Sequence, residues 1–372
     1  MPIYKMEGKK DGKQKYRVRI NYKDVYGADK QIDRVVYGSE EAKDLEQKLR
    51  TEIKETPPES RLTVRQLFDE YIKAKKYEVR ETSLEKTKQI LENHVLPTFE
   101  KTKLSQLNLI NLQKWKEGIE EKELSFTMRK NIFSEFRTML NYAVKFGHMP
   151  QNPLPRIGNF KDAYETKKSI DYYTAEEFLT FIKQAQIAAE SEGFYEWNYY
   201  VFFNIAFYTG LRKGEIHALK WSDIEDNVLH VRRSIAQKLK GGDRETPPKN
   251  KSSFRSLQIP LPLKNILDEN KERYKGVDGF TEDWRICGGI TCLRDTTINN
   301  RNAQYAKAAE IKAIRIHDFR HSHASLLANE GINIQEIARR LGHSKIEITW
   351  NTYSHLYPRE EERAVDILNK II

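Results

Sequence analysis

Cysteine is scarce in this sequence, because the 372 residues include only Cys287 and Cys292. Two cysteines cannot build a scaffold of several disulfides, so we expect a reducing, cytoplasmic setting. The two residues lie five positions apart without a second pair. That spacing makes a poor zinc site, so we expect no bound metal.

Long hydrophobic runs are also missing. No stretch approaches the ~18 consecutive apolar residues that a membrane-spanning helix needs. Residues 1–20 lack the apolar core of a signal peptide. Internal repeats and low-complexity tracts do not occur either. We therefore expect a globular protein without a membrane partner.

Positive charge is what the sequence has in excess, with a formal net charge of +10. Residues 1–38 carry +5 and residues 61–167 carry +6, whereas residues 39–60 carry −3 and the longest segment, 168–372, carries only +2. An excess of positive charge favours a polyanionic partner such as nucleic acid. This distribution is typical of a nearly neutral enzyme core joined to separate DNA-gripping modules.

The N-terminal residues alternate between two kinds of side chain. One face carries Tyr16, Val18 and Ile20, and the other carries Lys15, Arg17 and Arg19. The alternation predicts a strand, and a helix capped by Ser39 follows, so residues 1–58 are expected to form a three-stranded sheet plus one helix. The basic strand face either enters a major groove, as in β-ribbon DNA readers, or is an ordinary solvated face.

Helical periodicity continues over residues 61–155 and predicts a four- or five-helix bundle with a basic surface. A proline-rich and then polar stretch, residues 156–169, is expected to be an interdomain linker. Residues 170–372 mix helical patterns with short strands and predict a mostly helical domain. Apolar residues at helical spacing over 360–372 predict a tail helix, which packs on its own domain or docks on a neighbouring protomer. The fold class is therefore α+β, mainly α with small β-sheets.

Four short stretches of the last segment carry charged or nucleophilic side chains. They are TGLRKGEI from Thr209, PPKNKSSFR from Pro247, HDFRHSH from His317, and LGH from Leu341 with Tyr353 ten residues after the histidine. Each stretch is weak evidence alone, because such charged residues are usually solvated or paired on a protein surface. The occurrence of all four stretches in this order is much more specific evidence than any one of them.

These stretches together resemble the tyrosine recombinase (phage integrase) family, whose TGLRxGE, HDFRHSHAS, LGHS and TYSH patterns they match closely. The layout is similar to that of integrases of temperate phages and conjugative transposons. The resemblance implies an arm-type DNA-binding domain over 1–58, a SAM-like core-binding domain over 61–155 and a catalytic domain over 170–372. It also implies a site-specific recombinase that integrates and excises a phage genome or another mobile element.

The resemblance implies a tyrosine nucleophile beside a phosphate site. Tyr353 would displace a 5′-hydroxyl and store the bond as a 3′-phosphotyrosyl ester. Arg212 and Arg320 would clamp the non-bridging oxygens, because their planar, permanently charged forks match a phosphate. Tyr357 lies nearby, but its surroundings match nothing in the family. Neither a metal nor a nucleotide cofactor is needed for this chemistry.

Proton transfer is assigned by the same resemblance. Lys249 on a hairpin would act as general acid for the leaving 5′-oxygen, and Lys251 is the alternative. His317 would act as general base or proton carrier near Tyr353.

Two further positions would support the phosphate. His343 would hydrogen-bond it, and Glu215 would orient Arg212 or a histidine. The resemblance further implies double-stranded DNA with core and arm sites, a homotetramer on that DNA, and an excisionase and a DNA-bending protein as partners.

A rival interpretation is a non-catalytic DNA-binding regulator, because residues 331–344 resemble a helix-turn-helix with Tyr353 merely in its core. It leaves the two arginines and Lys249 without a purpose. A metal-dependent transposase is also disfavoured, because no acidic triad stands out. His321 and His323 fall on different helical faces and are expected to face DNA or to pack.

Overall fold

The computed structural model describes residues 3–23, 29–55, 62–161, 170–237, 242–248, 251–357, 365, 368 and 369. The chain divides into two compact units, residues 1–166 and 167–372. Among the described helices, none is both long and apolar enough to cross a membrane. The expected tail helix over 360–372 falls almost entirely outside the described residues.

The first unit begins with an antiparallel sheet of order β1-β2-β3 followed by a helix. The elements are β1 (Ile3–Lys10), β2 (Lys13–Lys23), β3 (Asp29–Tyr37) and α1 (Ser39–Glu55). Val18 and Ile20 are buried in one small core with Ala42 and Leu49 of α1. The alternation along β2 therefore separates an apolar face, covered by the helix, from a basic face.

A helical bundle completes the first unit. Its helices are α2 (Val64–Lys75), α3 (Glu81–His94), α4 (Leu96–Phe99), α5 (Leu109–Glu120), α6 (Phe126–Lys145) and α7 (Leu154–Ile157). Thr63, Asn108 and Ser125 cap three of them by accepting a backbone N–H. The core is a separate hydrophobic cluster that includes Trp115 and Phe136, whose rings meet edge to face.

The bundle extends past residue 155, where the sequence suggested that a linker begins. Phe160 is buried in the bundle core and meets the ring of Phe133 edge to face. The Lys116 ammonium group lies 5.4 Å from the Phe160 ring centroid and donates to the carbonyls of Ile157 and Asn159. These contacts hold residues 156–160 against the bundle, so this part of the expected linker belongs to the bundle instead. Residues 162–169 of the expected linker lie outside the described residues.

The second unit is mostly helical. Its elements are α8 (Ala175–Glu192), α9 (Phe194–Thr209), α10 (Lys213–Ala218), β4 (Ile224–Glu225), β5 (Val228–Val231), β6 (Ser234–Ala236), β7 (Arg244–Thr246), β8 (Arg255–Gln258), α11 (Leu261–Lys275), α12 (Asp295–Ala308), α13 (Asp318–Asn329), α14 (Ile334–Leu341) and α15 (Ile346–Tyr353). Strands β4, β5 and β8 form one antiparallel sheet, and β6 and β7 form a hairpin. The mainly α, α+β fold class is confirmed.

Helix α9 organises the second unit because 12 of its 16 residues are buried, and most of these are apolar. Helices α8, α11 and α13 pack against it. The rings of Phe178 on α8 and Phe207 on α9 stack with their centroids 3.7 Å apart. Helix α8 begins at a capping box in which Thr174 and Glu177 each bind the other's backbone N–H. The buried helix α9 ends at Thr209, where the first of the four motifs begins.

Candidate active site

Arg212 is placed by a sharp turn at the end of α9. Gly210 has a left-handed backbone with φ of +63°, and a Cβ there would lie 2.7 Å from the His323 ring, so glycine is required. Arg212 then stands just before α10, where its backbone N–H donates to Glu215 Oε2 at 2.9 Å. Its guanidinium Nη1 donates to Glu215 Oε1, also at 2.9 Å.

Glu215 lies between two arginines. Arg255 on β8 donates from Nη2 to Glu215 Oε2 at 2.9 Å, and both side chains are only 3% exposed. Burial by itself raises the pKa of Glu215, but the nearby Arg255 and Arg212 outweigh it and hold the pKa below its usual value. Glu215 therefore binds Arg212, the residue that it was expected to orient, and it also binds Arg255, which the sequence did not single out.

Arg320 on α13 is buried and holds two backbone segments together. It donates to the carbonyl of Gly210 at 2.8 Å and to that of Leu341 at 2.7 Å. Burial, reinforced by the neighbouring Arg212, lowers its pKa. Arg212 Nη2 in turn donates to the carbonyl of Gly342 at 3.4 Å. Each arginine therefore binds the backbone of another motif, which brings three distant stretches of sequence together.

His343 follows Gly342, whose left-handed backbone ends α14. Its Nδ1 lies 2.8 Å from the hydroxyl of Thr349, which is fully buried on α15. Burial, followed by the charges of Arg320 and Arg212, lowers the pKa of His343 to about 4. The ring is therefore neutral near pH 7, and when the Thr349 hydroxyl donates to Nδ1 the ring carries its proton on Nε2.

Tyr353 ends α15 and is only 2% exposed. Its ring packs with Ala324, Ile337 and Leu341, and its hydroxyl lies 2.6 Å from Nδ1 of His321. Burial raises the pKa of Tyr353. The polar partner of the predicted nucleophile is thus His321, a residue that the sequence analysis assigned only to packing or DNA contact.

His317 lies one helical turn before His321. The two rings meet edge to face, with centroids 5.3 Å apart. Burial, followed by the charge of Arg320, lowers the pKa of His317. Residues four apart share a helix face, so the spacing of His317 and His321 is a signal in the sequence that would have linked His321 to the site.

Lys249 lies outside the described residues. Lys251, the alternative general acid, is exposed at the start of a short 3-10 helix, Lys251–Ser253. Ser253 is buried, and its carbonyl accepts a hydrogen bond from Arg255 Nη1 at 3.0 Å. The segment that follows Lys249 is therefore fixed to the arginine cluster.

Other polar residues named from the sequence have structural partners. The hydroxyl of Tyr357 donates to the Ile332 carbonyl at 2.6 Å. His323 is buried, and its Nδ1 donates to the Phe207 carbonyl at 2.8 Å, which makes it a packing residue. Both Cys287 and Cys292 are free and buried. Within the described residues, no group of three His, Cys, Asp or Glu side chains is arranged to hold a metal ion.

The basic strand face of the first unit is partly neutralised. Asp33 on β3 lies 3.4 Å from Arg17 and 3.0 Å from Arg19, so one carboxylate serves both arginines. Lys15 lies on the same face and is half-buried. This face keeps a net positive charge, smaller than the sequence of β2 alone suggests.

Replacing Glu215 with glutamine tests the arginine cluster. The change preserves shape but leaves the buried Arg255 without its counter-charge, so we expect a loss of about 3–5 kcal/mol in the free energy of unfolding, measured by urea denaturation. Glu336→Gln is the matched control, because Glu336 pairs with the exposed Arg339 and such pairs contribute little. Equal effects of the two changes would contradict the buried cluster.

The neutral histidines predict a pH dependence of stability. Burial is the main cause that lowers the pKa of His321 and His343 to about 4 and that of His323 to about 3. Between about pH 6.5 and 4 the unfolded chain then binds protons that the folded chain does not, so stability falls as the pH falls. Each histidine contributes up to about 1.4 kcal/mol per pH unit. Urea unfolding at pH 7, 6 and 5 measures the loss, and a constant free energy of unfolding over this range would contradict it.

Comparison with known proteins agrees with this geometry. Residues 173–360 match the Phage integrase family model, and residues 63–118 match the model of the phage integrase N-terminal SAM-like domain. The ICEBs1 integrase of Bacillus subtilis is 27% identical over 385 residues, covering 100% of both chains. A XerC-like tyrosine recombinase of Caldanaerobacter subterraneus is 30% identical over 294 residues, covering 72% of each chain.

Solved structures show the same fold. The Tn1549 transposon integrase in complex with transposon right end DNA has a TM-score of 0.63 at 20% identity, covering 84% of this chain and 100% of that one. A lambda integrase tetramer bound to a Holliday junction has a TM-score of 0.55 at 18% identity, covering 92% and 96%. On the family match over more than half its length, this chain belongs to the phage integrase family and is a tyrosine site-specific recombinase.

Proposed function

We propose that this recombinase cleaves and rejoins DNA strands through a 3′-phosphotyrosyl intermediate and so integrates and excises a mobile element. The observation that carries the proposal is the convergence of Arg212, Arg320, His343 and Tyr353 from separate motifs. They line one partly buried, positively charged site with a tyrosine hydroxyl in it. A phosphodiester is the group that this combination suits, since guanidinium forks stabilise the charge that develops on its oxygens.

The strand-cleavage step follows from the residue types. The Tyr353 oxygen attacks the phosphorus, the P–O5′ bond breaks, and Arg212 and Arg320 stabilise the non-bridging oxygens. His343 donates from Nε2 to one of these oxygens. A lysine of the β7–β8 connection, Lys249 with Lys251 as the alternative, protonates the leaving 5′-oxygen. Rejoining is the reverse, so the bond energy is kept in the tyrosyl ester.

The two arginines are already held in place in the free protein. Arg212 donates a hydrogen bond to the carbonyl of Gly342, and Arg320 donates to the carbonyls of Gly210 and Leu341. These contacts hold the two forks in place before DNA binds, so little reorganisation is needed when the phosphate arrives. Such preorganisation is the main source of electrostatic catalysis.

The proposed DNA partners follow the three-part layout. Residues 1–58 bind arm sites through the face of Lys15, Arg17 and Arg19, residues 61–155 grip the core site, and residues 170–372 cut it. The integrase structures that share this fold were solved on DNA, one of them as a tetramer on a Holliday junction. We propose that four copies act together on two duplexes in the cytoplasm. An excisionase and a DNA-bending protein are the proposed accessory partners. The non-catalytic regulator is disfavoured, because it leaves the buried arginine cluster without a purpose.

A suicide duplex carrying the core site tests the nucleophile. Incubation in EDTA should give a covalent protein–DNA adduct, resolved by denaturing electrophoresis, because no metal takes part. Tyr353→Phe should abolish the adduct, and Arg212→Lys should reduce it about 100-fold or more through loss of the planar fork. Tyr357→Phe is the matched control and should leave it intact. An adduct that persists in Tyr353→Phe would refute the assignment.

The basic strand face predicts arm-site binding. Replacing Arg17 and Arg19 together with glutamine should weaken binding to an arm-site duplex and reduce the salt dependence of that binding, because phosphate contacts are lost. Cleavage at the core site should persist. Arg50→Gln on α1, where Arg50 pairs with Glu46, is the control. Unchanged arm-site affinity in the double variant would remove this role.

A further inference from the structure

We propose that His321 is the catalytic base of strand cleavage, taking the phenolic proton from Tyr353 as the tyrosine oxygen attacks the phosphate. This inference rests on the proposed strand cleavage and assigns one of its proton transfers. It differs from the role that family resemblance gives to His317. The contact behind it is direct, since Nδ1 of His321 lies 2.6 Å from the reacting oxygen.

The proton lies on the tyrosine in the resting site. Burial, followed by the nearby His317, lowers the pKa of His321 to about 4. Burial also raises the pKa of Tyr353. Both groups are therefore neutral near pH 7. In the tautomer with the imidazole proton on Nε2, the Tyr353 hydroxyl donates and the bare Nδ1 of His321 accepts. An acceptor nitrogen already aligned with the O–H bond is the geometry that a general base needs.

The charged groups around His321 make proton acceptance depend on the phosphate. Arg320 and Arg315 oppose protonation, His317 opposes it when charged, and Asp318 favours it. His343 is neutral near pH 7 and faces the same site. A DNA phosphate bound at Arg320 brings negative charge that offsets the cations and raises the pKa of His321. The base therefore becomes effective when the substrate is present, and the free enzyme keeps its nucleophile protonated.

The step balances in atoms and charge. As the Oη–P bond forms and the P–O5′ bond breaks, the proton of Oη moves to Nδ1 of His321 and the lysine gives its proton to O5′. Rejoining reverses each transfer, because the 5′-hydroxyl loses its proton to the lysine and His321 returns its own to Tyr353. His317 packs edge-on against His321, which leaves it to contact the phosphate.

The scaffold fixes the contact from both sides. His321 stands on α13, and Ala324 and Ala328 of that helix pack in the same small core as the Tyr353 ring. His321 and Tyr353 therefore keep their separation only while α13 and α15 stay packed. A substitution that keeps this packing but removes proton acceptance is required to isolate the chemical role.

His321→Asn is that substitution, because its side-chain amide places a hydrogen-bond acceptor near the position of Nδ1 but does not take up a proton at neutral pH. We expect normal core-site binding and a single-turnover cleavage rate at least about 100-fold below that of the native chain. The rate of His321→Asn should rise about tenfold per pH unit above pH 6, because solvent must now remove the proton. His355→Asn, an exposed histidine two residues after the nucleophile, should cleave at the native rate.

A substrate with sulfur at the bridging 5′ position distinguishes the general base from the general acid, because a thiolate leaves without needing a proton. This substrate should restore cleavage by Lys249→Ala, which lacks the acid, but not by His321→Asn, which lacks the base. The proposal would be overturned if the sulfur substrate restored cleavage by His321→Asn, or if that variant cleaved the ordinary substrate within twofold of the native rate. It would also be overturned if the rise of rate with pH appeared in His317→Asn instead. Absence of any adduct from the native chain would instead refute strand cleavage itself, so the two failures are distinguishable.

Discussion

The site depends on hydrogen bonds from two arginines to backbone carbonyls. Arg320 binds the carbonyls that end α9 and α14, and Arg212 binds the carbonyl next to His343. Buried cations destabilise a fold unless they are satisfied. Here the carbonyls and the single carboxylate of Glu215 satisfy them, and in doing so they fix the spacing of the motifs that must meet one phosphate. The same groups that stabilise the free site are thus already aimed at its substrate.

This arrangement also determines the state of the histidines. Burial and the surrounding guanidinium groups lower the pKa of His317, His321 and His343, so these rings act as neutral donors and acceptors. Among the described residues of the site, Arg212 and Arg320 then supply fixed positive charge, and the proton carriers remain free to change state. The Thr349 hydroxyl contacts one ring nitrogen of His343, and the Tyr353 hydroxyl contacts one ring nitrogen of His321. The second nitrogen of each ring is left for proton exchange or for the phosphate.

Sequence predicted the parts of this structure that depend on local pattern. The alternation of β2 and the helical periodicity of the bundle each follow from residues close together in the chain. The sequence did not single out Arg255 because its role depends on an ion pair with Glu215, forty residues away. Asp33 lowers the net charge of the basic face only because strand pairing brings it beside Arg17 and Arg19. His321 was assigned to DNA contact or packing because the sequence places it on a helix but does not say which side chain lies opposite. Phe160 likewise reads as linker until the bundle core is seen around it.

The central claim is that one tyrosine oxygen becomes bonded to DNA in this cluster. Mass spectrometry of peptides from the trapped protein–DNA complex, after nuclease digestion, measures this bond directly. The account predicts a nucleotide joined through its 3′-phosphate to the peptide containing Tyr353, with fragmentation placing it on that side chain. A nucleotide on Tyr357, on a serine or on a histidine would contradict it.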